Sequence, residues 1–159
     1  SFFLKNFAAP LAFFERAIVA GPNLPLAWAM SSATHGYLGD GAKAVQHAEQ
    51  AVRRSPLDAL LFWHEGLLAQ AHYVNGDYEE ALRWARVAGA RNGSIRFNLR
   101  TLIAVLAALG NIAEARHNAQ RLLQLQPNFR LCHYAARTPF RGSQLEHRLA
   151  HLRLAGLPD

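Results

Sequence analysis

The chain is punctuated at a nearly constant interval. Pro22 and Pro56 stand 34 residues apart, Gly93 and Pro127 stand 34 apart again, and Pro56 and Gly93 stand 37 apart. The interior between these marks repeats as well. Gly39, Gly76 and Gly110 are each followed five residues later by Ala44, Ala81 and Ala115. Ala48, Ala85 and Ala119 come four residues after that, and Ala51, Ala88 and Leu122 three further on. A glycine accepts the left-handed conformation that ends a helix. Small residues at helical steps let two antiparallel helices approach closely, and a proline stops the second helix. A unit this short cannot bury its own apolar face, so the period calls for a stacked array.

This pattern resembles the tetratricopeptide repeat. In the first full unit Trp28, Ser31-Ser32, Gly39-Asp40, Ala44, Ala51 and Pro56 carry the likeness. In the second, Phe62, Gly66, Gly76-Asp77-Tyr78, Ala81 and Ala88 carry it. The third is weaker, with Leu99 where an aromatic is expected, then Gly110-Asn111, Ala115 and Pro127. The resemblance implies an all-α fold, an α-α superhelix of antiparallel helix pairs closed by a C-terminal capping helix. Its units are 25–58, 59–95 and 96–129. Residues 1–24 are read as the second helix of an upstream repeat, and 130–159 as a connecting stretch and the capping helix.

The second unit has 14 residues between Phe62 and Gly76, against 11 from Trp28 to Gly39 and 11 from Leu99 to Gly110. Three residues are nearly one helical turn. A longer first helix is therefore expected, protruding near His72-Tyr73-Val74-Asn75, with a longer loop as the alternative. In the tail, Ser143 and Glu146 have the spacing of a capping box. Leu145, Leu149, Leu152 and Leu154 supply an apolar stripe, and Gly156 and Pro158 close the helix.

Composition narrows the function classes. Of 159 residues, 51% are hydrophobic and 18% charged, enough for one ordinary domain and against disorder. No uncharged, unbroken stretch is long enough to span a bilayer, so no membrane insertion is expected. The single cysteine, Cys132, excludes an internal disulfide and a cysteine-based zinc site. The opening Ser1-Phe2-Phe3-Leu4-Lys5 reads as internal to a longer cytoplasmic chain rather than as a signal peptide. Charge is uneven. Residues 1–82 hold 5 basic and 8 acidic side chains, whereas residues 83–159 hold 12 and 3.

Catalytic chemistry is not visible. A nucleophile with its base, paired carboxylates or a metal cluster is the usual sign. His147 and His151 share a helical face but lack a third ligand, and are expected to face solvent. His64-Glu65 falls inside a helix pair, where a structural role is expected. Gly39-Asp40-Gly41 lacks the lysine and hydroxyl of a phosphate loop. No catalytic residue, metal or cofactor is assigned.

The resemblance places the first helix of each unit on a concave binding surface. Carried over by position, the groove comprises Leu26, Tyr37, Leu60, Trp63, Leu67, Gln70, Phe97 and Arg100. It is mostly apolar and suits a peptide or an amphipathic helix, with Trp63, Tyr37 and Phe97 as anchors. Repeats that grip acidic chaperone tails need several basic residues there, and only Arg100 answers. Arg83, Arg86 and Arg116 fall on second helices, which face outward in the family. They lack the aromatic interleaving of single-strand binding, so a solvated face or a docking surface is favoured over nucleic acid.

The order of Ala27-Trp28-Ala29, Ser55-Pro56-Leu57-Asp58, residues 76–85, Arg137-Thr138-Pro139-Phe140-Arg141 and the ending 152–159 resembles the C-terminal repeat region of bacterial adenylate-cyclase-like proteins and related winged-helix regulators. That likeness implies a regulatory module binding a protein partner or a neighbouring domain of the same chain. The alternative is a self-association scaffold, a homodimer that positions an N-terminal catalytic or DNA-binding domain.

Overall fold

The structure, a computed structural model, describes residues 7–159. The opening Ser1-Phe2-Phe3-Leu4-Lys5 lies outside the described residues. Among the described residues all regular structure is helical: α1 (Ala8–Ala20), α2 (Pro25–Leu38), α3 (Gly41–Arg53), α4 (Leu61–Asn75), α5 (Tyr78–Arg91), α6 (Arg96–Ala108), α7 (Ile112–Leu125), α8 (Leu131–Arg137) and α9 (Gly142–Leu154). The fold is an α-α superhelix. Helices α2 and α3, α4 and α5, and α6 and α7 pack as successive pairs. Each second helix also packs on the first helix of the next pair, and α2, α4 and α6 touch in a row.

The repeated alanines explain this packing. Ala44, Ala48, Ala51, Ala81, Ala85, Ala88 and Ala115 are all fully buried at helix–helix contacts. Their small side chains let backbones approach without voids. The turn inside each pair recurs atom for atom. Gly39, Gly76 and Gly110 have φ of 82°, 84° and 79°. The amide of the following residue donates back across the glycine: Asp40 to His35 at 2.9 Å, Asp77 to His72 at 2.9 Å, Asn111 to Leu106 at 2.8 Å. This is the backbone pattern that satisfies the last carbonyls of a helix.

The second unit's extra residues lie elsewhere than expected. The linkers 21–24 and 92–95 are short, whereas residues 54–60 form a longer connection between α3 and α4. Helix α4, at 15 residues against 14 in α2 and 13 in α6, is the longest first helix by only one residue. His72 and Tyr73 are buried instead. Ser55 and Asp58 hold the longer linker as consecutive turns. The Ser55 hydroxyl donates to the Ala51 carbonyl at 2.7 Å, and Asp58 Oδ1 accepts from the Leu60 amide at 2.8 Å. The expected register was displaced by one turn. Counted from the glycine turn, the position of Trp28 falls on Glu65, not Phe62. Glu65 is buried and takes two hydrogen bonds from Arg91 Nε, at 2.9 and 2.8 Å.

The tail also departs in detail. Helix α9 starts at Gly142 with Arg141 at its N-cap and no side-chain cap, so the Ser143–Glu146 box does not form. Leu154 is half exposed, and the buried face of α9 is made by Arg148 and Leu152. Helix α9 packs on α6 and α8. Leu152, Ala155 and Leu157 join the core with Leu106, Leu122 and Leu131. The Leu131 amide donates to the Pro158 carbonyl at 2.8 Å and fixes the chain's end.

Gly41 tests the close approach of the first two pairs. It is buried at the start of α3, and a Cβ there would lie 2.6 Å from Asn75 Cα and 2.8 Å from Asn75 N. Gly41→Ala is therefore expected to lose about 1–3 kcal/mol of unfolding free energy in urea titration. Gly21→Ala, with its nearest neighbour at 3.7 Å, is the matched control and is expected to change little.

Candidate functional site

The first helices lie side by side and form one face, and the apolar cluster at its floor also takes Ala51 of α3. Ala29, Ala33, Ala51 and Leu67 are buried there, with Trp28, Met30, Tyr37, Trp63 and Phe97 packed on them. Gly66 seats Phe97. A Cβ at Gly66 would lie 2.8 Å from the ring's Cζ, so the absence of a side chain lets the ring lie against α4. Trp28 is held at the far end. Its indole nitrogen donates to the Pro22 carbonyl at 2.9 Å, and the Arg54 guanidinium lies 5.1 Å from its ring centre.

The C-terminal segment crosses this face rather than continuing the stack. Phe140 is buried and meets Tyr37 edge-on, ring centres 5.1 Å apart. Gln144 lies beside Gly39. Arg148 reaches α6 through Thr101 and lies 5.3 Å from the Tyr73 ring of α4. His151 Nδ1 is 2.8 Å from the Tyr73 hydroxyl. Segment 138–151 thereby touches the first helix of every pair.

Between the floor and this segment is a cavity of about 290 Å³. Of the groove residues expected from sequence, Tyr37, Trp63, Leu67, Gln70, Phe97 and Arg100 line it. Leu26 and Leu60 do not. Both lie at helix starts and are about half exposed. The cavity also takes Tyr134, Arg137, Thr138, Phe140 and Arg148 from the tail, which sequence reasoning left out of the groove. A signal for Arg148 was present: it interrupts the stripe Leu145, Leu149, Leu152 on the face that turns inward. The groove is consequently less apolar than expected, with three guanidinium groups where one was anticipated. Burial pushes the Tyr37 phenol above its ordinary value, and burial together with Arg148 and Arg96 lowers Arg100.

The other candidates lie outside this cavity. Arg83 pairs with Glu80 at 2.6 Å, and Arg86 bridges to Glu114 of α7 at 2.9 Å, both exposed on second helices. His47 Nδ1 is 2.8 Å from the Ser31 hydroxyl, and its ring meets those of Trp28 and His35 edge-on. His64 Nε2 is 3.6 Å from Asp58 Oδ2. His147 is exposed as expected, but His151 packs on Tyr73 and Tyr78 instead of facing solvent. Among the described residues no group of three or more His, Cys, Asp or Glu side chains could hold a metal ion. No described helix is long and apolar enough to cross a membrane.

The sequence profile of the tetratricopeptide repeat family matches residues 63–86, which span most of α4 and the first part of α5. Among curated proteins no significant match is found. The fold is shared with solved structures. The crystal structure of MamA superposes with a TM-score of 0.66 at 17% identity, covering 94% of this chain and 86% of that one. TTC0263, a thermophilic TPR protein of Thermus thermophilus, superposes with a TM-score of 0.70 at 22% identity, covering 97% of this chain and 80% of that one. The chain thus carries the fold of a tetratricopeptide-repeat solenoid.

Burial lowers the affinity of His35, His47, His64 and His151 for protons below the ordinary value of 6.5. The folded state prefers each imidazole neutral. Their contribution to stability is whole above about pH 6.5 and is lost as pH falls below it. Thermal melts are expected to show a falling Tm between about pH 7.5 and 5.5. A Tm constant over that range would contradict the burial seen here.

Proposed function

We propose that this chain is a non-catalytic interaction module whose concave groove takes a peptide or a helix from a protein partner. The observation that carries the reading is the convergence of Tyr37, Trp63, Leu67, Gln70, Phe97 and Arg100, from three separate helices, on one cavity. Trp63 and Phe97 are only half-buried in it, and large rings left partly uncovered in a concave site are the usual anchors for an incoming apolar side chain. Units at 25–58, 59–95 and 96–129, preceded by a remnant at 1–24 and followed by the tail 130–159, belong to the same reading.

The setting is a regulatory one. It rests on the resemblance to the C-terminal repeat regions of bacterial adenylate-cyclase-like proteins and winged-helix regulators. In that setting any cyclase or DNA-binding activity belongs to another domain, and this segment docks a cytoplasmic protein or a neighbouring domain.

Panning a peptide display library on the immobilised chain tests the groove directly. Peptides are expected to be enriched on the wild-type chain, and Trp63→Ala is expected to weaken them by about thirtyfold, the effect of losing a central aromatic anchor. Circular dichroism establishes that the variant is folded. Equal affinity in a folded variant would refute the assignment.

A further inference from the structure

The groove holds a positive charge for which the described residues supply no counterion. Arg148 is 1% exposed and heads the fully buried side chains by volume. Its Nε donates to the Tyr134 hydroxyl at 2.7 Å and its Nη2 to the Thr101 hydroxyl at 3.0 Å. The faces of Tyr73 and Phe140 lie 5.3 and 4.9 Å from the guanidinium carbon. These neutral groups orient the cation without neutralising it. The third nitrogen, Nη1, is buried with no hydrogen-bond partner.

The surroundings deepen the imbalance. Among the described residues none of the ion pairs involves Arg148, Arg100 or Arg137. No Asp or Glu lines the cavity that these three arginines share. Arg100 is half-buried, and the charges acting on it are those of Arg148 and Arg96, with tyrosines as its other neighbours. A buried charge without a partner is costly, and proteins seldom carry one that nothing compensates. Guanidinium groups bind carboxylates with paired, charge-assisted hydrogen bonds. The rest of the wall is aromatic, and the volume is at the small end of the range for small-molecule sites.

We infer that this cavity binds a small organic acid, its carboxylate meeting Arg148 and Arg100 and its flat apolar body lying among Tyr37, Trp63 and Phe97. The inference rests on the groove being a binding surface, as proposed above, and adds the chemistry of what enters it. Arg148 lines the cavity with one nitrogen, Nη1, that no protein group satisfies, and Arg100 supplies a second positive charge on the same wall. A single negative charge on an apolar body matches this wall better than a fully solvated polyanion does.

The test uses the full chain with benzoate, phenylacetate and indole-3-acetate, each against its primary amide, at constant ionic strength. Thermal shift and calorimetric titration are the readouts. The acids are expected to raise Tm and to bind, and the amides at equal concentration are not. Arg100→Gln is expected to weaken the acids about tenfold or more, as the loss of a charge-assisted contact should. Arg148→Met is expected to abolish the acid-specific shift. If that variant does not fold, Arg100→Gln decides. Acids and amides acting alike overturn the inference, as does undiminished acid binding in Arg100→Gln. Inorganic phosphate shifting Tm while the acids are inert overturns it too. Display peptides that bind the wild type and are lost with Trp63→Ala, with no acid binding, overturn this inference and leave the groove reading standing. Acid binding without any enriched peptide supports the inference and counts against the peptide reading alone.

Discussion

Everything in this molecule depends on how closely its helices can approach. The alanines at the pair contacts are buried. With larger side chains there, paired helices would separate, and the first helices would no longer form a continuous row. The small residues therefore do more than fill space. They let α2, α4 and α6 lie close enough to share one cavity. Gly41 and Gly66 extend the same constraint, one against the Asn75 backbone and the other against the Phe97 ring.

On that curved row the tail completes the site. A solenoid of three pairs presents a trough open along one side. Here segment 138–151 crosses the trough and supplies one wall, bringing Phe140 onto Tyr37 and Arg148 onto Thr101. The basic character of the second half of the chain acquires a location in this way. Some of it is solvated and paired, as at Arg83 and Arg86. Some of it, at Arg100, Arg137 and Arg148, faces a shared interior volume.

What was legible in the sequence follows from geometry. The glycine turns and alanine steps have a fixed spacing because backbone hydrogen bonds and close packing fix it. They revealed the fold. Two features were hidden. The long linker was misplaced because Phe62, an aromatic near the expected position, drew the register one turn away from Glu65. Glu65 is a charged residue whose burial depends on Arg91, distant in sequence. The tail's contribution was hidden because an arginine beside a leucine stripe reads as the edge of a solvated face. Only the crossing of α9 over the first helices encloses it. Leu26 and Leu60 were carried over by position, but helix starts lie at the open rim, where nothing covers them.

The recurring turn differs between its copies in its titratable side chains. His35 and His72 occupy the same place in the first two, with Asp40 and Asp77 at 3.6 and 3.4 Å, whereas the third has Leu106 and Asn111. The three turns share a backbone but not a titratable side chain. His47 and His64 also belong to the first two pairs. In a linear array each pair is stabilised mainly by its neighbours, so a stress confined to one end need not spread as a single event. Acid therefore meets this scaffold at two places, at His35, His47 and His64 of the first two pairs and at His151 of α9, while the turn of the third pair has no imidazole in it to charge.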